Sequence, residues 1–169
     1  MSEAKIGEEF ITHEFDEAIA IQRAIVDAEG TLSKTHPNAD AKAAIKACLA
    51  QDKTFLTQLE KLGKAHGATG KQEEVSESLT SLLEETTASA EEADSEAYEA
   101  HAVLLNLKRK QQDSAGGMLA IATAMGDTEL QDAATEFGKA QKQSAEQLAT
   151  LLATFAAQIA TQEAAPGSA

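Results

Sequence analysis

The sequence predicts an all-α chain: a four-helix bundle of two antiparallel helical hairpins joined by a crossover at about 72–88. Three observations predict it. Apolar and small residues recur at spacings that alternate between four and three through most of the 169 residues. Alanine fills 35 positions and aromatics only 4% of the chain, so the core must be built from Ala, Leu, Ile and a few Phe, a composition suited to closely packed helices. No run of alternating β-branched residues marks a strand.

The first helix is predicted over about 6–32, where Ile11, Phe15, Ala18, Ile25 and Leu32 form a seam interrupted by Gln22 and Glu29. Pro37 biases His36 away from helix, and Asn38 or Asp40 is placed to cap a second helix at about 39–66. Its seam is Ile45, Leu49, Asp52, Leu56 and Leu59, flanked by Cys48, Phe55 and Leu62, and Gly67 and Gly70 stop it. Thr69 with Gln72 has the form of a capping box. The segment it starts, 72–88, has the apolar set Val75, Leu79, Leu82 and Thr86 before the register stutters.

The main third helix is predicted at about 90–125, with Ala97, Ala100, Leu104, Leu107, Gln111, Ser114, Met118 and Met125 inward. Gly116 and Gly117 bend it or admit a close neighbour. Gly126 and Asp127 pair a C-terminal stop with the next N-cap. The last helix, about 128–162, carries Leu130, Phe137, Gln141, Ser144, Leu148 and Phe155. The four long helices are each about 40–54 Å at ~1.5 Å per residue, which suits near-parallel packing in one domain over 1–163, with a flexible tail at 164–169.

A net charge of -14 disfavours nucleic acid and anionic membrane, because both recruit clustered Lys and Arg. One cysteine excludes an intramolecular disulfide or a thiolate zinc cluster. The first ten residues carry three glutamates and no apolar stretch, and nowhere do about 18 apolar residues run together, so the expectation is a cytoplasmic protein.

The hairpin, crossover, hairpin plan resembles the ferritin-like superfamily. The stretches 39–70 and 119–152 are similar to small bacterial ferritin-like proteins of uncharacterised, stress-associated function. That resemblance implies a di-iron centre, which needs inward Glu from two helices and Glu-x-x-His from the other two. Here the polar residues interrupting the four seams are Gln22, Asp52, Gln111 and Gln141, and Phe55, Ser114 and Ser144 stand three residues after the last three, where no imidazole is available. Carboxamides cannot balance two divalent charges, and Lys108, Arg109 and Lys110 beside the third position would repel a cation. The expectation is a hydrogen-bonded polar layer of Gln22, Asp52, Gln111 and Gln141, with no catalytic residue, no metal and no cofactor.

Other chemistry-bearing residues read as structural. His13 and Glu17 share a helix face without the second His of a zinc protease helix. His36, His66 and His101 do not converge in the sequence. Cys48 fits a small buried hydrophobe. The loop Gly67-Ala68-Thr69-Gly70 mimics a KH-module loop but lacks its strands. The acidic run from Glu84 to Glu99 reads as a solvated face, with a docking face for a basic partner as its functional version. The expected function is a non-enzymatic interaction or stress-associated protein, as a homodimer or with a protein partner. A metal-dependent oxidase using Asp52 and Glu29, and an Ala-rich scaffold coating an apolar surface, are the alternatives.

Overall fold

The computed structural model describes residues 3–163, so the predicted tail at 164–169 lies outside the described residues. Five helices and no strand occur among the described residues: α1 (Glu3–Thr35), α2 (Ala39–Ala65), α3 (Glu74–Ser89), α4 (Asp94–Met125) and α5 (Thr128–Glu163). Local chemistry sets most of their ends. The Asn38 side chain accepts from the Ala41 N–H at 2.9 Å and starts α2. Gly126, at φ 70°, closes α4 in the left-handed region, and Asp127 accepts from the Leu130 N–H at 3.0 Å to start α5.

The link between α2 and α3 departs from the prediction. The Thr69 and Gly70 N–H groups both donate to Asp16 Oδ1 at 2.7 Å, so a carboxylate from α1 replaces the local cap. The capping box that starts α3 is formed by Glu73 and Ser76 instead.

α1 packs on α2, α3 and α4; α5 packs on α2 and α4; and α3 packs on α1 and α4. Cross-helix contacts fix the directions. Thr12 meets His66 and Gln22 meets Asp52 between α1 and α2, whereas Gln111 reaches Ala18 and His101 reaches His36 between α4 and α1 with the turn that follows it. Asn38 meets Gln158 and Phe55 meets Phe137 across α2 and α5, and Gly138 lies against Ala115 while His101 meets Leu148 across α5 and α4. Each of these neighbouring pairs therefore runs antiparallel.

Two apolar clusters fill the interior. One contains Ile25, Leu32, Leu104, Leu148 and Phe155, and the other Phe15, Ile19, Phe55, Met118 and Phe137. Along each long helix a polar residue falls between them: Gln22, Asp52, Lys108 with Gln111, and Gln141.

Several faces differ from expectation. In α2 the buried line is Ile45, Cys48, Asp52, Phe55 and Leu59, which joins three residues of the predicted seam to two of its flank, while Leu49 and Leu56 are only half-buried. In α3 the buried face is Ser76, Thr80, Leu83 and Thr87, one residue on from the predicted set; Val75 and Leu82 are exposed. Met125 is likewise exposed beside the α4 terminus. Gly116 and Gly117 do not break α4, and nothing comes nearer than 3.7 Å to a Cβ placed at either; the close approaches are at Gly63, Gly70 and Gly138.

A Cβ at Gly63 would lie 2.9 Å from Ile19 Cδ1 and 3.2 Å from both Ala68 and Phe15, all of them buried, whereas one at Gly116 meets nothing within 4 Å. Gly63→Ala is expected to destabilise by about 1–3 kcal/mol through overpacking. Gly116→Ala is expected to stabilise by ~0.5–1 kcal/mol, since alanine is the better helix former. Urea midpoints check both; shifts of the same sign would contradict the packing described.

Candidate functional site

Gln22 and Glu29 stand two turns apart on α1 and so share its inner face. Lys108 and Gln111 stand three apart on α4, and α2 and α5 contribute Asp52 and Gln141. All six are essentially inaccessible to solvent. Asp52 is the hub. Its Oδ1 accepts from Gln22 Nε2 at 2.7 Å and from Gln141 Nε2 at 2.6 Å, and its Oδ2 accepts from Lys108 Nζ at 2.5 Å. Gln111 Nε2 donates to Gln22 Oε1 and to the Ala18 carbonyl, each at 2.9 Å. Lys108 Nζ lies 2.8 Å from Glu29 Oε1, an ion-pair distance without hydrogen-bond alignment.

The four residues selected from the sequence thus meet at one level, joined by two more. Lys108 does not belong to an exposed basic run: Arg109 is exposed and Lys110 pairs with Glu17 at 2.8 Å, but Lys108 turns inward. The available signal was spacing, because Lys108 lies four residues after Leu104, on the buried side of α4.

Burying two carboxylates with one ammonium leaves an excess negative charge that a low-dielectric interior disfavours. Burial pushes the Glu29 carboxyl up to about 8; the Lys108 ammonium opposes that rise and Asp52 adds to it. For Lys108, burial works against the charged form, but Glu29 and Asp52 outweigh it and hold the amine above the ordinary lysine range. At neutral pH Glu29 therefore keeps its proton, and one carboxylate faces one ammonium. Glu29 Oε1 and Oε2 and the carboxamide oxygens of Gln111 and Gln141 accept no hydrogen bond among the described residues.

A second buried polar group joins residues that do not converge in the sequence. The Asn38 N–H donates to His36 Nδ1 at 3.1 Å, which makes His36 Nε2 the protonated nitrogen. It faces His101 Nδ1 at 3.2 Å, so His101 carries its proton on Nε2, which donates to the Leu148 carbonyl at 3.0 Å. Neutral rings satisfy this chain throughout. Burial lowers the His36 pKa, and burial together with the neighbouring His36 lowers that of His101 to about 4. Though far apart in the sequence, His36 and His101 meet because the α1–α2 turn folds onto α4.

The remaining candidates have structural surroundings. Burial pushes the Cys48 thiol up to about 11, so it remains a thiol at neutral pH. His66 stacks on Phe15 with ring centres 5.5 Å apart. The Gly67–Gly70 loop directs its N–H groups at Asp16. His13, Glu14 and Glu17 bring ligand atoms within 4.8 Å of one another, but His13 is exposed and Glu17 already pairs with Lys110. No helix among the described residues is long and apolar enough to cross a membrane.

The six-residue centre offers two carboxylates, three carboxamides and an ammonium, a donor set that does not fit a pair of divalent cations. No protein-family model and no curated protein matches the chain.

Two outcomes follow from the electrostatics. Lys108→Met strands the Asp52 carboxylate and is expected to cost about 3–5 kcal/mol, and adding Asp52→Asn should recover part of that loss in denaturant titrations. The folded-state pKa of Glu29 is raised above its ordinary value of 4.5, so its stabilisation is complete below about 4.5 and is lost as pH rises through about 8. The lowered His101 value acts oppositely, its contribution being lost as pH falls from 6.5 through about 4. Stability measured against pH should fall between about 6.5 and 8 by on the order of 2 kcal/mol, and Glu29→Gln should flatten that limb. An unchanged alkaline slope in Glu29→Gln would contradict the assignment.

Proposed function

We propose that this chain is a ferritin-like four-helix bundle without a di-iron centre, acting non-enzymatically as an interaction or stress-associated protein. The topology supports the reading: α1 and α2 form one hairpin, α4 and α5 another, and α3 lies against α1 and α4 along the connection between them. The observation that carries it is the Lys108 ammonium, 2.8 Å from Glu29 and 2.5 Å from Asp52, between the two apolar clusters.

An internal cation there neutralises the carboxylates that a metal would require; Gln22 and Gln141 donate to Asp52 and Gln111 donates to Gln22, and none of the three supplies an anionic oxygen. With the centre closed and fully buried, function falls to the surface. That surface is strongly acidic, consistent with the net charge of -14.

Protein produced in iron-supplemented cells is expected to contain only substoichiometric iron, manganese or zinc by elemental analysis, and to show no iron-dependent oxygen consumption. One or two ions per chain, lost in Asp52→Asn, would establish the metal-dependent reading instead.

A further inference from the structure

We propose that the outer face of α3 docks a cationic amphipathic helix. This deepens the reading of the chain as an interaction protein and rests on it. The central observation is that α3 is turned the unexpected way round. Its apolar residues Val75, Leu79 and Leu82 repeat at i, i+4 and i+7, the spacing of a core-facing stripe. Yet Val75 is 61% and Leu82 48% exposed, and only Leu79 between them, half-buried, packs on the core.

The face packed inward lies about 100° round the helix and is mostly hydroxyl-bearing: Ser76, Thr80 and Thr87 with Leu83. Burying these groups is not compensated throughout, because Thr87 Oγ1 has no hydrogen-bond partner. A helix that buries three hydroxyls while leaving Val75 and Leu82 in solvent is arranged for a partner on its outer side. Phe10 and Met125, the other large exposed apolar residues among those described, belong to other helices.

Charge identifies the partner. α3 contains no Lys or Arg; at about 100° per residue its exposed Glu74 and Glu85 border the stripe, Glu77 and Glu84 lie on the far side, and Glu91 and Glu92 follow directly. A second copy would bring this same acidic face, in a chain of net charge -14, against itself. A helix with apolar residues at three- and four-residue spacing, bordered by Lys and Arg, matches both the stripe and its acidic border.

The test uses the full chain and a fluorescein-labelled peptide of about 18 residues, with leucines on one helical face and lysines on the other. Fluorescence anisotropy should show saturable binding. The affinity should fall about tenfold or more in Val75→Ser/Leu82→Ser, in Glu74→Lys/Glu85→Lys, and at high salt. Phe10→Ser and Met125→Ser should leave it unchanged. Because Val75 and Leu82 are exposed, the double variant should keep the parent's circular dichroism and melting temperature.

Absence of binding, equal binding to Val75→Ser/Leu82→Ser, or equal binding of a leucine–glutamate peptide would overturn the proposal. Sedimentation showing a dimer dispersed by Val75→Ser/Leu82→Ser would also overturn it, making a second copy the occupant. Stoichiometric iron would sink the broader reading without altering any of these binding results, so the two failures are distinguishable.

Discussion

The contact between Lys108 and Asp52 constrains the rest of this fold, because a buried ammonium and a buried carboxylate each need the other in a fixed place. α4 carries the first and α2 the second, on diagonally opposed members of the two hairpins. The hairpins must therefore close with this layer in register. The gain is specificity more than stability: the desolvation of two charges consumes most of their attraction, whereas a helix slipped by one turn would leave both unpaired. Asp52 extends the constraint to α1 and α5 by accepting from Gln22 and Gln141. One carboxylate thus reads the positions of all four long helices.

The same layer divides the core into two apolar halves. Toward the α1–α2 turn, the His36–His101 pair adds a second polar tie, from the turn to α4 and onward to the Leu148 carbonyl in α5. Both devices solve burial by minimising charge, one with a protonated Glu29 and the other with two neutral imidazoles. They do so with opposite proton balances, since the native state retains a proton on Glu29 that the unfolded chain releases and refuses protons on the histidines that the unfolded chain accepts. The polar interior is consequently tuned to mildly acidic and neutral conditions.

The bundle centre is chemically closed, and the unusual exposure lies on α3. Val75 and Leu82, bordered by Glu74 and Glu85, lie on the outer side while Ser76, Thr80 and Thr87 lie inward. Propensity and amphipathic pattern agree with helix there, but the pattern does not choose which side meets α1 and α4. Close packing does: small Ser and Thr side chains permit the short helix to lie near both longer ones.

What the sequence determined by itself was local and periodic. Helix boundaries were legible to within a few residues because Asn38, Gly67, Gly126 and Asp127 act on their own neighbours. The α1 seam was legible because every seventh residue returns to one face, which also brought out Gln22 and Glu29. Tertiary structure alone decided which of two adjacent faces was buried in α3, that Asp16 would take the N–H groups of a loop more than 50 residues away, and that His36 would meet His101. It also decided that Lys108 would turn inward while Arg109 stayed out. The physical reason is that a charge has no intrinsic burial preference strong enough to survive a partner: whether lysine is inside depends on where the carboxylates of other helices arrive, and that is settled only when the helices meet.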